Sequence, residues 1–311
     1  MRILVTGGTG MVGSAFRNIQ TDHKLVLVGS RDYNLTQASD CRSMISDIKP
    51  DAIIHLAAKV GGVKGNTDYV ADFFHENILM NTNLLNSAKN QKIQKVVSLL
   101  STCIYPDNAT YPLTEGQIHS GEPHKSNFGY AYAKRMLEVH SRAIRQQYGL
   151  NYVTAIPNNI YGPNDNFDLN SGHVVPAIIR KVHNQNLSGI SPRFWGTGQA
   201  KREFTYSEDV ALALLWLVEH YDSPLPINIG NTYEITIYDL VSKIQSIMSA
   251  KQTSVWDDRM PTGQHRKPSS SKRFARLNKN FTYTSLDAGL QRTVDWFIDA
   301  FPNIRGYDAD Y

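Results

Sequence analysis

The stretch that most limits what this chain can become is Arg2 to Ile19, RILVTGGTGMVGSAFRNI. Ile3, Leu4 and Val5 form an unbroken apolar run, the pattern of a strand covered on both faces. Glycines follow at 7, 8, 10 and 13, and Met11, Val12, Ala15, Phe16 and Ile19 then recur at helical spacing. Strand, glycine-rich turn and helix in that order make a dinucleotide-binding βα unit. The glycines permit a tight turn, close approach of a pyrophosphate to the main chain, and contact between helix and strand. Free N–H groups and the dipole at the start of such a helix attract phosphate. Gly7, Gly8, Thr9, Gly10, Met11, Val12 and Gly13 are therefore candidate cofactor contacts. The spacing Gly7-x-x-Gly10-x-x-Gly13 is one residue wider at its front than G-x-G-x-x-G. The competing reading is a turn that uses glycine for geometry alone; its place directly after a strand, at the start of the chain, favours the nucleotide.

Strands and helices alternate after this unit. Lys24–Val28 reads as a second strand, and Thr36 as the N-cap of a helix running to Ile48. Ala52–Ala57, Lys95–Ser101 and Asn151–Ile156 read as further buried strands, with helical patterns over Phe73–Asn90 and Phe128–Tyr148 between them. Most of 102–127 is a Pro-, Gly- and Ser-rich loop. The pattern predicts an α/β fold, a Rossmann-type doubly wound parallel sheet with helices on both faces. Regularity weakens after Pro163, where helices are expected over Val174–Asn184, Ser207–Tyr221, Thr236–Met248 and Leu286–Phe301 and a strand at Ile227–Ile229. This predicts a cofactor domain of 1–164 plus 204–230 and a smaller C-terminal α/β substrate domain of 165–203 plus 231–311, closing over the C-terminal edge of the sheet.

Composition excludes several classes. Only Cys41 and Cys103 occur, which argues against a disulfide framework. The net charge of +4 is too small and too scattered to point to nucleic acid. No apolar stretch has the length of a membrane span, and the immediate strand leaves no room for a signal peptide, so a cytoplasmic protein is expected. No residue pattern calls for a metal.

The second strand runs into Gly29-Ser30-Arg31-Asp32. An acidic residue first in that position holds a ribose 2′-hydroxyl, whereas arginine accommodates a 2′-phosphate. Ser30 and Arg31 come before Asp32, which favours NADPH over NADH; the bland alternative is an ordinary surface arginine. Ala57 and Ala58 are small enough for a cofactor to lie across the end of their strand, and His55 reads as a satisfied strand-end histidine.

The strongest chemical constellation is Ser101-Thr102-Cys103 with Tyr130-Ala-Tyr-Ala-Lys134. Tyr130 and Lys134 share a helix face, and the ammonium is expected to lower the tyrosine pKa toward working pH. Tyr130 then exchanges a proton with a carbonyl or alcohol oxygen that Ser101 also holds, and Lys134 also reaches the cofactor ribose. Tyr132 faces elsewhere.

With these residues in view, the chain resembles the extended short-chain dehydrogenase/reductases that act on nucleotide sugars. The resemblance runs nearly end to end, through LAAKVGG (56–62), STCIYP (101–106), SNFGYAYAKRM (126–136), IPNNIYGPNDNF (156–167), GHVVPA (172–177), WGTGQAKREF (195–204) and SSSKR (269–273). It implies NADPH-dependent conversion of GDP-4-keto-6-deoxy-D-mannose to GDP-L-fucose by inversion at C3 and C5 and reduction at C4, and it implies a homodimer. By similarity, Cys103 and His173 are the acid–base pair for inversion, and Tyr130 and Ser101 hold the oxygen at C4. Pro157, Asn158, Asn159 and Ile160 match the loop beside the nicotinamide, with His173 nearby. Lys181, Trp195 and Arg202 match positions that contact the GDP-sugar, as Thr102 does beside Ser101 and Cys103. The basic residues Arg259, His265, Arg266, Lys267, Lys272 and Arg273 are expected in a loop near the nucleotide, or simply on a solvated surface. Two departures stand out: Asn158 replaces a common Thr, and Thr262 stands where relatives place Asp before glycine. The competing readings are a redox-neutral 4-epimerase or dehydratase that recycles a tightly held NAD, and a non-catalytic NADP-binding sensor.

Overall fold

The computed structural model describes residues 1–259 and 265–307. Thr262 and its neighbours in Met260-Pro261-Thr262-Gly263 lie outside the described residues.

Ile3, Leu4 and Val5 are wholly buried in β1 (Arg2–Thr6), as an unbroken apolar run requires of a strand covered on both sides. The glycine turn leads into α1 (Met11–Ala15), which tightens to a 3-10 turn over Phe16–Asn18. Then come β2 (Lys24–Val28), α2 (Ala38–Ile48), β3 (Ala52–His55), α3 (Val63–Asp68), α4 (Val70–Asn90), β4 (Lys95–Leu99), α5 (Phe128–Tyr148), β5 (Asn151–Ile156) and β6 (Asn159–Tyr161). The chain continues through α6 (Val174–Ser188), β7 (Arg193–Trp195), β8 (Lys201–Tyr206), α7 (Ser207–His220), β9 (Ile227–Asn228), β10 (Glu234–Thr236), α8 (Ile237–Ile247), β11 (Val255–Asp257), α9 (Lys272–Leu277) and α10 (Leu286–Ala300).

The main sheet has the order β2-β1-β3-β4-β5-β9, every pair parallel. The chain leaves β1 for β2 on one side and returns to β3 on the other, so the strand order reverses beside β1. Open α/β sheets bind ligands at such a point. Residues of α2, α4 and α5, including Met44, Leu84 and Leu137, pack one face; residues of α1, α7 and α9, including Val12, Leu214 and Phe274, pack the other. A third core, with Ile178, Phe204, Leu240 and Phe297, joins α6, β8, α8 and α10. There β8 pairs parallel with β6 and antiparallel with β10, while β7 pairs with β11.

Local chemistry shifts some expected boundaries. The Thr36 cap does not form: α2 starts from Gln37 without a side-chain cap, and Thr36 Oγ1 donates instead to Asn34 Oδ1 at 2.8 Å in the preceding turn. Helix α3, with two glycines just before it, has no apolar period to announce it. The loop after β4 is tied down by 3-10 turns and by a bridge between Pro106 and Pro123. Among the described residues no helix is long and apolar enough to cross a membrane.

Candidate active site

A cleft of about 1290 Å³ opens at the C-terminal ends of the main strands and runs on to β7 and β8. Its floor is the first glycine turn. Gly7 has φ +71°, and a Cβ there would lie 2.8 Å from the Ala57 nitrogen, so the turn after β1 rests directly on the turn after β3. A Cβ on Gly13 would lie 2.3 Å from the Gly7 oxygen, which fixes how closely α1 approaches the strand. Gly10 caps α1 without a side chain, and no acidic residue occupies its first turn. The leading N–H groups are thus left for an anion, and this backbone cradle fits a dinucleotide pyrophosphate. Thr9, Met11 and Val12 line the cleft, as do Ala57, Ala58 and the segment Pro157-Asn158-Asn159-Ile160.

Three expected cofactor contacts sit differently. Gly8 packs against Leu27, and its N–H donates to Val28 O at 2.8 Å, so it serves the turn itself. Asp32 accepts the Gly29 N–H at 2.7 Å and braces the turn after β2. Arg31 is exposed between Ser30 and Tyr33, both of which line the cleft. His55 is buried, with Nδ1 2.8 Å from Thr6 Oγ1 and Nε2 3.0 Å from Asn81 Oδ1. Burial and the nearby Lys134 push its pKa down to about 3, so it is a neutral structural group.

Beyond β4 the chain turns sharply. Ser101 is extended, Thr102–Ile104 forms a 3-10 turn, and Ser101 Oγ accepts the Cys103 N–H at 3.4 Å. Ser101 and Thr102 line the cleft with Tyr130 and Lys134 of α5, whereas Cys103 is 8% exposed and stays outside the lining. Lys134 Nζ donates to Leu99 O at 2.8 Å and lies 5.9 Å from the centre of the Tyr130 ring. The expected lowering of the tyrosine pKa is not what this geometry produces. Burial holds Tyr130 well above its ordinary value, and the neighbouring Cys103 adds to the rise. Burial also lowers Lys134 to about 8. A phenol this desolvated keeps its proton against one ammonium that is itself committed to a backbone carbonyl. Burial likewise raises the Cys103 thiol, opposed by the Ser101 hydroxyl, Lys267 and Lys134.

A family model described as the NAD dependent epimerase/dehydratase family matches residues 3–230. A GDP-L-fucose synthase of Dictyostelium discoideum is 40% identical over 310 residues, covering 97% of this chain and 97% of its own. A probable GDP-L-fucose synthase of Drosophila melanogaster is 34% identical over 322 residues, covering 98% of this chain and 99% of its own. This chain belongs to the GDP-L-fucose synthase family. The crystal structure of a GDP-L-fucose synthetase from Naegleria fowleri bound to NADP superposes with a TM-score of 0.93 at 36% identity, covering 98% of this chain and 94% of that one.

In this member of the GDP-L-fucose synthase family the start of α6, α6 itself, β7 and β8 bring His173, Lys181, Trp195 and Arg202 to the same cleft. His173 is the N-cap of α6. The cleft walls and then the Arg305 guanidinium hold its imidazole below the ordinary range, toward the neutral form. Lys181, on α6, donates to Arg193 O at 2.8 Å and stands 5.2 Å over the Phe194 ring. Trp195 is 53% exposed, an open indole face on the wall rather than a core residue. Arg202, on β8, has Nη1 2.7 Å from Lys201 O.

The basic cluster divides. Arg259 is paired with Asp257 and Arg266 with Glu234, and Arg273 Nη1 donates to Pro226 O at 2.6 Å. His265 and Lys272 are exposed. Lys267 turns toward the reactive centre, within electrostatic range of Cys103 and Arg202, and burial lowers its pKa. Sequence reasoning missed Asp165, Glu203 and Arg305. Asp165 is buried in the cleft wall with Oδ2 unpartnered among the described residues, and Arg305 lines the same wall. Only their folded proximity marks them.

Proposed function

We propose that this chain converts GDP-4-keto-6-deoxy-D-mannose to GDP-L-fucose with NADPH, inverting C3 and C5 and then reducing the C4 ketone. The observation that carries the reading is one continuous cleft joining the Gly7–Gly13 cradle, the Ser101–Tyr130–Lys134 group, and His173, Trp195 and Arg202. The GDP-L-fucose synthases among its relatives and the NADP bound in the Naegleria fowleri structure support it.

The C4 ketone acidifies the C–H bonds at C3 and C5. Inversion requires one group to remove a proton and another to return one from the opposite face. Cys103 and His173 serve as this pair: they come from different lobes, the turn after β4 supplying one and the N-cap of α6 the other. A neutral imidazole is able to accept a proton, and cations around Cys103 oppose the rise in its pKa. Ser101 and Tyr130 hold the enolate oxygen at C4. When bound, NADPH supplies the hydride that reduces C4. Tyr130 then gives its proton to the oxygen, a role suited to a phenol that burial keeps protonated. Lys134 orients the ribose beside it. Lys181, Thr102 and Arg202 bind the GDP-sugar, with Arg202 on the diphosphate and Trp195 over a sugar or base face.

The cofactor domain in this reading is 1–164 plus 204–230, and the sugar-nucleotide domain 165–203 plus 231–311. Phe74 on α4 and Met136 on α5 are exposed apolar side chains on adjoining helices, which supports pairing of two copies through that face. Two free, buried cysteines suit a cytoplasmic location.

The test is NADPH absorbance after adding the purified protein to GDP-4-keto-6-deoxy-D-mannose, with GDP-mannose and UDP-glucose as controls. Stoichiometric oxidation with the keto-sugar alone, and a product with fucose stereochemistry, is expected. No oxidation by folded protein that binds NADPH would return the function to a redox-neutral epimerase.

A further inference from the structure

We propose that Arg135 is a positioning residue for the inversion half of the reaction: it fixes the far end of the turn that carries Cys103. The inference rests on the activity proposed above.

Two adjacent residues of α5 grip the two ends of that turn. Lys134 Nζ donates to Leu99 O at 2.8 Å, just before Ser101. Arg135 Nε donates to Ile104 O at 2.6 Å, just after Cys103. Arg135 Nη1 donates to Gly121 O at 2.7 Å, so the same guanidinium pins the returning arm of the loop that begins at Pro106. The side chain is 4% exposed, and its carbon centre lies 5.5 Å from the middle of the Tyr132 ring. Tyr132, which plays no part at the reacting oxygen, thus backs the guanidinium.

The arrangement has a chemical consequence. Tyr130 and Cys103 belong to different segments, and inversion and reduction need both placed against one sugar. Because the helix that carries Tyr130 also grips both ends of the Cys103 turn, the two groups keep one spacing. A planar fork holds the two carbonyls from separate nitrogens at a fixed spacing, Nε on Ile104 O and Nη1 on Gly121 O; lysine has its three donors on one nitrogen at the end of a flexible stem and fixes no such spacing. Burying a guanidinium against backbone carbonyls is costly, and core filling alone does not call for it. Its third nitrogen, Nη2, has no hydrogen-bond partner among the described residues, so the side chain gives up part of its bonding capacity to reach these two oxygens.

The test compares the native protein with Arg135→Met and Arg135→Lys, each given GDP-4-keto-6-deoxy-D-mannose and NADPH in deuterium oxide. Product stereochemistry and deuterium at C3 and C5 are read by nuclear magnetic resonance, and NADPH oxidation by absorbance. Lys134 still holds the Ser101 end of the turn when Arg135 is replaced, so loosening the Cys103 end is expected to slow inversion more than hydride transfer. In Arg135→Met the share of C4-reduced sugar left uninverted at C3 or C5 is expected to rise about 10-fold or more, with the KM for NADPH unchanged. Arg135→Lys, which keeps the charge but only one donor nitrogen, is expected to fall between. A native product ratio in Arg135→Lys, or equal slowing of inversion and reduction in Arg135→Met, overturns the proposal. If Arg135→Met does not fold, the product ratio of Arg135→Lys decides alone. A native protein that forms no inverted product refutes the proposed activity instead, so the two failures are distinct.

Discussion

Glu203 and Ser269 are joined by three hydrogen bonds: the Ser269 N–H reaches both carboxylate oxygens at 3.0 Å, and its hydroxyl donates to Oε2 at 2.5 Å. Asn158 Nδ2 donates to the same Oε2 at 3.1 Å. One buried carboxylate therefore links the cofactor-side loop, the strand that carries Arg202, and the segment that carries Lys267. Glu203→Ala leaves these donors buried without an acceptor, at about 1–3 kcal/mol for each that finds no water. Glu203→Gln keeps one acceptor but turns an amide N–H₂ toward a donor. We expect both variants to lower the urea midpoint, Ala more than Gln, and to weaken NADPH and GDP-sugar binding together. Loss of affinity for one ligand alone would separate the two sides of the cleft.

Asp165 gives stability a pH dependence of defined sign. Burial raises its carboxyl from the ordinary 3.8 to about 7, against the Asn166 N–H and Arg305, which favour the charged form. Between these values the folded protein holds a proton that the unfolded chain has released, so this group makes stability fall as pH rises from about 4 to 7. The penalty is complete above that window and absent below it. Asp165→Asn copies the protonated form. Its thermal midpoint should exceed that of the native protein at about pH 8, and the gain should disappear near pH 4. A gain independent of pH would mean that the carboxyl is not the source.

What the sequence announces here is what local geometry dictates. The run Ile3-Leu4-Val5 and the glycines at 7 and 13 are legible because a doubly covered strand and a close helix approach leave few alternatives. Tyr130 and Lys134 are legible because four residues make about one helical turn. The state of that pair is not legible. It depends on how deeply α5 settles against β4, which decides that burial outweighs the ammonium and that Lys134 reaches Leu99 O. Asp165 and Arg305 meet only because the turn at Gly306 packs on Asn166 and Asp168, a contact that no period in the chain records. Lys267 likewise differs from Arg266, its neighbour in one basic run, only by the direction in which the segment is held.

Arg31 tests the choice of cofactor. It stands exposed beside the cleft, with the neighbouring carboxylate of Asp32 already accepting the Gly29 N–H. A guanidinium contact to a 2′-phosphate is a charge-assisted hydrogen bond, typically about 1.5–3 kcal/mol. Arg31→Ala should therefore narrow the preference for NADPH over NADH in kcat/KM by about 10-fold or more, mainly through the KM for NADPH. Because the site is open to solvent, added salt should narrow the native preference too. Equal use of both cofactors by the native protein would remove Arg31 from the selection.

Cys103 and His173 test how acid and base are divided between the two faces of the sugar. Cys103→Ser keeps a small side chain in a buried site but replaces the thiol by a hydroxyl, a far weaker acid whose conjugate base is scarce at working pH. His173→Gln keeps hydrogen-bonding capacity at the N-cap of α6 and removes the titratable ring. Neither change touches the Gly7–Gly13 cradle, so the Kd for NADPH should stay near the native value in Cys103→Ser. Loss of a positioned acid or base costs about 10²–10⁴-fold in rate. Net inversion at C3 and C5 should fall by that order in both variants. If the pair divides the two faces of the sugar, one member removing the proton and the other returning it, only the variant that keeps the base still removes a proton. One of them should then show exchange without net inversion, while the other shows neither. Native uptake and inversion in Cys103→Ser would exclude the thiol, and the same result in His173→Gln would exclude the imidazole.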